Sequence, residues 1–181
     1  YLHSRVNRLG SPMHKEIARE FFEPALKKLK QTQSKAQLAY LCGFVCHFIL
    51  DSNCHSQVDL IMANTKRTHF EIETELDRYF MIKDGLDPLR THLTNHVHIN
   101  DDILTNIEIY FNRASKKDIY KSLTGFKFYD RLLVAPQIYK RALIYLVLKI
   151  TFTFKRFQGF VVNYKQNKTI EPYLTILENL F

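Results

Sequence analysis

Histidines and carboxylates recur at four-residue steps in one short stretch, and that periodicity limits what the chain can fold into. His47, Asp51 and His55 stand at i, i+4 and i+8, and His69 and Glu73 repeat the step. On an α-helix of about 3.6 residues per turn, side chains four apart stack on one face. Two such helices packed side by side would bring all five groups together. Neutral imidazoles and ionised carboxylates are ligands that zinc takes at about 2.0–2.2 Å. The spacing therefore predicts helices carrying a metal site. The plainer alternative is a buried histidine bonded to a carbonyl, or an ordinary surface His-x-x-x-Asp pair. Against it, Gln37 to Leu50 (QLAYLCGFVCHFIL) is apolar on nearly every side and is expected to be enclosed by other elements. Polar groups at the end of such a helix must be paired or bound to something.

The rest of the chain agrees with an all-α fold. Its 181 residues are 46% hydrophobic with only five glycines and five prolines, and strand-like alternation is scarce. One compact multi-helix domain over residues 1–181 is expected. Leu143 to Phe154 is the longest apolar stretch, but Lys149 interrupts it and it falls short of the ~20 residues a bilayer span needs. Tyr1 opens no signal peptide, and the lack of a starting Met leaves room for an upstream segment that has been removed. The net charge of +8 suggests an anionic partner: a phosphate-bearing substrate, a lipid headgroup or nucleic acid. The cations lie in separate short clusters (Lys27 to Lys30, Lys116-Lys117, Lys155-Arg156), which disfavours nucleic-acid binding as the main role. Cys42, Cys46 and Cys54 form no Cys-x-x-Cys pair. Read as small apolar groups on a buried helix, they point to a reducing, cytoplasmic setting, with secretion the alternative if a signal was cleaved.

Periodicity places a first helix over Pro12 to Lys30, capped by Ser11, with Ile17, Phe21, Phe22, Ala25 and Leu29 inward and His14 in its first turn. Ser34 would cap the enclosed helix, which is expected to end near His55. A basic loop follows, then a helix from Thr68 to Ile82 facing inward with Ile72, Leu76, Tyr79 and Phe80; Asp84-Gly85 ends it. Asp77 continues the face of His69 and Glu73, to orient His69 or to pair with Arg78 or Lys83. Shorter helices are expected over Asp101 to Arg113 and Lys116 to Leu123, with GFKFYD (125–130) an aromatic loop. A long helix from Pro136 to Phe157 would direct Leu143, Val147, Ile150 and Phe154 to the core, and a last helix begins at Glu171. His92, His96 and His98 are spaced too irregularly for one helix face and read as a polar surface segment.

The segments AYLCGFVCHFILDSNCHSQVD and HFEIETELD, together with Gly10-Ser-Pro-Met-His14, resemble the zinc-dependent phospholipase C family, relatives of the P1/S1 nucleases. That family carries a helix-borne His, then His-x-x-x-Asp, a further His, and His-x-x-x-Glu. The resemblance covers about residues 10 to 80 and implies an all-α domain of the phospholipase C/P1 nuclease type with a zinc cluster in a cleft. It implies that His14, His47 and Asp51 hold one ion, Asp51 bridging towards a second as the catalytic carboxylate. It assigns another ion to His55, His69 and Glu73. In the family a third zinc takes the N-terminal amine and an early His, and a further Asp lies upstream. Here Tyr1 stands where the family has Trp and no Asp precedes His14, so two or three ions are implied.

The activity implied is hydrolysis of a phosphate diester, with phospholipid ahead of nucleic acid as substrate. Paired metals ~3.5–4 Å apart clamp phosphoryl oxygens and lower the pKa of an attacking water. Transient contact with a lipid surface would use an apolar rim drawn from Phe44, Phe48, Phe70 and Phe126 to Tyr129. The competing readings are a degenerate zinc-binding protein of the same fold and a P1-like nuclease. A carboxylate di-iron bundle fits less well, because it uses Glu-x-x-His at spacing three.

Overall fold

Few glycines and long unbroken runs of helix-compatible residues give a chain that is helical throughout its regular parts. The computed structural model describes residues 16–179, and among these there is no strand. In order, the helices are α1 (Ala18–Thr32), α2 (Lys35–Thr65), α3 (His69–Lys83), α4 (Asp101–Glu108), α5 (Lys116–Leu133), α6 (Ile138–Ile150), α7 (Phe154–Phe157) and α8 (Glu171–Glu178). A 3-10 turn, Gln158–Phe160, follows α7 directly. None of the described helices is long and apolar enough to cross a membrane. Ser11, Pro12 and His14 lie outside the described residues.

The chain forms two compact units that alternate in sequence, one of residues 1–47 and 94–129, the other of residues 48–93 and 130–181. In the first, Ala25, Leu41 and Tyr110 form the core, with Phe21, Phe22, Leu29, Tyr40 and Phe111 packed on it. Tyr110 donates its hydroxyl hydrogen to the Gln37 carbonyl, and Lys28 ties α1 to the end of α4 through the Ile109 carbonyl at 2.5 Å. Burial, with Tyr110 alongside, pushes the Tyr40 hydroxyl up to about 12.

In the second unit Val58, Ile61, Ile72, Ile170, Leu174 and Leu177 interlock α2, α3 and α8. A smaller cluster of Ala135, Ile144 and Val161 anchors α6. Two buried charged residues of α3 hold the irregular segment 163–167. Glu75 accepts the Asn167 amide at 3.0 Å, and Arg78 donates to the carbonyls of Asn163 and Tyr164. At the far end of α3, Lys83 and the Tyr79 hydroxyl both engage Glu178.

Several boundaries and faces depart from expectation. Helix α2 continues beyond His55 to Thr65, and α4 stops at Glu108 rather than Arg113. GFKFYD is helical and lengthens α5 to Leu133. The Gln37–Leu50 helix is not enclosed: Leu38, Ile49 and Leu50 are exposed, as are the thiols of Cys42 and Cys46. A mostly apolar run in a small unit has more apolar sides than neighbours to cover them. Ile17 is exposed too, whereas Ala25 is buried as expected.

The long helix from Pro136 is broken at Thr151. There the Phe152 amide bonds the Lys149 carbonyl and the Thr153 amide bonds Leu148, a closure that needs φ > 0 at Phe152 (φ 55). Of the stripe expected in its core, Leu143, Val147 and Ile150 face solvent. The core-facing positions go instead to Arg141 and Ile144.

Gly159 is where the 3-10 turn presses on the first turn of α3. A Cβ there would lie 2.9 Å from the Glu71 backbone nitrogen and 3.2 Å from the Phe70 carbonyl carbon. Gly159→Ala must therefore push backbone against backbone and is expected to cost about 1–3 kcal/mol, read from urea unfolding. An unchanged midpoint would show that the turn moves freely away from α3.

Candidate metal centre

The start of α3 is fixed locally. Thr68 and Glu71 form a reciprocal cap: the Thr68 hydroxyl accepts the Glu71 amide, and the Glu71 carboxylate accepts the Thr68 amide at 2.9 Å. Phe70 stacks on Phe160 with ring centroids 4.1 Å apart. Between the cap and this stack, His69 has a defined place as the first residue of the helix. Its Nε2 meets Glu73 Oε1 one turn on, at 2.9 Å.

Helix α2 carries the matching pair. His55 Nε2 lies 3.3 Å from Asp51 Oδ1, again one turn apart. The two pairs are neighbours, for the rings of His55 and His69 are 5.3 Å apart between centroids. In both pairs the nitrogen facing the carboxylate is Nε2. The cluster is open on one side: the His55 and Glu73 side chains are each 48% exposed, against 28–29% for His69 and Asp51.

Charge converges on the same spot. The Cys54 thiol is raised above its ordinary pKa by burial first and then by Asp51 and Glu73, so carboxylates from both helices act on one atom. Asp77, a turn beyond Glu73, is raised to about 6 by poor solvation and then by the Glu73 charge. Its surface area marks it as exposed, yet the upward direction follows from the Glu73 charge as well as from desolvation. Arg78 and Lys83, its expected partners, are engaged with the 163–164 carbonyls and Glu178 instead.

A carboxyl whose folded pKa lies above its unfolded value lends stability at low pH and loses it as pH rises through the folded value. For Asp77 that window runs from about 4 to about 6. In chelator, Asp77→Asn is expected to flatten the decline over this range and to leave the variant more stable than wild type at pH 7. Parallel pH profiles of the urea midpoint would contradict this.

The expected ligands are thus placed unevenly. Asp51, His55, His69 and Glu73 come together in the second unit as two pairs. His47 belongs to the first unit, where its ring lies 6.5 Å from that of Phe44, and His14 is outside the described residues. Among the described residues no three His, Cys, Asp or Glu side chains close up as a ready metal-holding group. The donor chemistry nonetheless fits zinc: imidazole Nε2 atoms and carboxylates on adjoining helices.

His92 was expected in a plain polar segment. Its Nδ1 meets Asp130 at 3.0 Å, while His96 and His98 belong to the other unit. No spacing signal marks a pair 38 residues apart.

An all-helical chain with His–carboxylate pairs on adjoining helices is the class of protein these features define. The chain belongs to the zinc-dependent phospholipase C family, whose model matches residues 2–129. That span contains every candidate donor from His14 to Glu73, while α6, α7 and α8 lie beyond it. No curated protein and no solved structure gives a significant match.

Proposed function

We propose that this chain is a zinc-dependent phosphodiester hydrolase acting on phospholipid in the manner of a phospholipase C. The observation that carries the reading is the adjacency of the Asp51–His55 and His69–Glu73 pairs within the segment that matches the family. His14, His47 and Asp51 would hold one zinc, and His55, His69 and Glu73 another. Zinc, when bound, supplies a Lewis acid that polarises a phosphoryl oxygen and makes water acidic enough to attack near neutral pH.

The chain's own residues prepare that chemistry. Asp51 and Glu73 each stand against an imidazole one helix turn away, so donors of both kinds are already side by side. The Asp51 and Glu73 carboxylates, which add to the effect of burial in raising Cys54, would favour a divalent cation at the same place. Phe44 and Phe70, offered above as parts of an apolar rim, are occupied in aromatic packing with Phe21 and Phe160. The three cysteines are free thiols, which is in keeping with a reducing, cytoplasmic setting.

A second reading, a zinc-binding relative without turnover, draws on the unmatched upstream ligands. The two are separated by loading chelator-stripped protein with zinc and following p-nitrophenylphosphorylcholine. The first predicts zinc-dependent turnover that falls roughly a hundredfold or more in His47→Ala. Zinc bound without turnover in the wild type would favour the second.

A further inference from the structure

Helix α6 is assembled with an arginine inside and its leucines outside. Arg141 is buried, donating to the carbonyls of Ala135 at 3.2 Å and Val162 at 2.6 Å, and its guanidinium lies 4.1 Å from the centre of the Tyr164 ring. Those bonds fix the helix's rotation, since rolling it to hide Leu143 would strip Arg141 of its acceptors and expose Ile144. The outward face then reads Tyr139, Leu143, Leu146, Val147 and Ile150, each at least 50% exposed. Just past its end, Phe152 is 97% exposed in a backbone conformation that a bulky residue rarely adopts. A contiguous apolar stripe of this kind marks an interaction surface.

The charge around it identifies the partner. Between Asp130 and Glu171 the chain carries no acidic residue and, besides the buried Arg141, seven lysines and arginines. Lys149, Lys155 and Arg156, next to the stripe in sequence, are exposed. A second copy of the chain would bring the same positive charge to the contact, whereas an anionic bilayer offers both an apolar layer and the opposite charge.

We propose that the outward face of α6, with Phe152 at its tip, docks on an anionic lipid surface, the helix lying in the plane of the interface. This surface is outside the family-matched residues and does not depend on the zinc centre.

The test is sedimentation of the full chain with phosphatidylcholine vesicles, with and without phosphatidylserine, in EDTA so that no lipid is cleaved. Binding is expected only with phosphatidylserine, to weaken steeply with salt, and to fall about tenfold or more in Leu143→Glu/Ile150→Glu. Phe152→Gly supplies a control against misfolding: relief of the strained backbone should raise its melting temperature while its vesicle binding weakens. Absence of binding by the wild type, or equal binding by the double variant, would overturn the proposal. So would a concentration-dependent dimer that Leu143→Glu abolishes, which would seat a second copy on the face.

Discussion

His69→Ala is expected to lower zinc-dependent hydrolysis roughly a thousandfold, the equivalent of about 4 kcal/mol of transition-state stabilisation by a correctly held ion. Its zinc affinity should drop with it. The folded state should scarcely notice in the absence of metal. The His69–Glu73 contact is a partly exposed i, i+4 pair, of a kind worth about 0.3–0.5 kcal/mol, and the helix start is secured by Thr68 and Glu71 rather than by His69. Activity and metal lost together, with the chelated melting curve unchanged, separate a ligand from a structural residue. A large drop in the melting temperature of the metal-free variant would mean that His69 holds the fold instead.

The largest expected effect on stability lies on the opposite side of α3. Glu75 is 2% exposed and accepts the Asn167 amide, with the Asn163 side chain also within reach at 3.5 Å. Glu75→Leu would orphan that amide and remove the acceptor facing the Asn163 side chain. Leaving a buried donor unsatisfied costs about 1–3 kcal/mol, towards the upper end when the lost acceptor was charged, more than the apolar gain from leucine returns. Equilibrium denaturation should show a loss of that size, and segment 163–167 should exchange its amides faster. A variant as stable as wild type would show that this segment is held by Ile170 and Leu174 alone.

Both effects sit on one helix, yet only one was legible beforehand. The four-residue spacing of His69 and Glu73 is a local signal, because a helix converts it directly into a shared face. The same holds for Asp51 and His55, and for the helix start at Thr68. Glu75 and Arg78 look like ordinary surface positions in the sequence; their burial comes from a segment about 90 residues away, which no local pattern reports. Gly159 is similar, a helix terminator by its sequence and a close backbone approach to Glu71 in the structure.

The misread face of α6 has a definite cause. Apolar periodicity names the stripe of a helix, and burial is then assumed for it. In α6 the stripe is right and the burial wrong, because Arg141 finds carbonyl acceptors inside and turns Leu143 and Ile150 outward. Overestimating enclosure along Gln37–Leu50 is the same error. With solvent beside that stretch, its polar end need not be bound to anything. The candidate centre rests instead on the observed pairing of Asp51 with His55 beside His69 and Glu73.

The most direct test of that centre is zinc content by elemental analysis after equilibration with zinc and desalting, for the wild type beside His69→Ala and Glu73→Gln. At least two ions per wild-type chain, with at least one lost in each variant, is the result predicted here. A wild-type chain that retains no zinc, or variants that retain as much as the wild type, would contradict it.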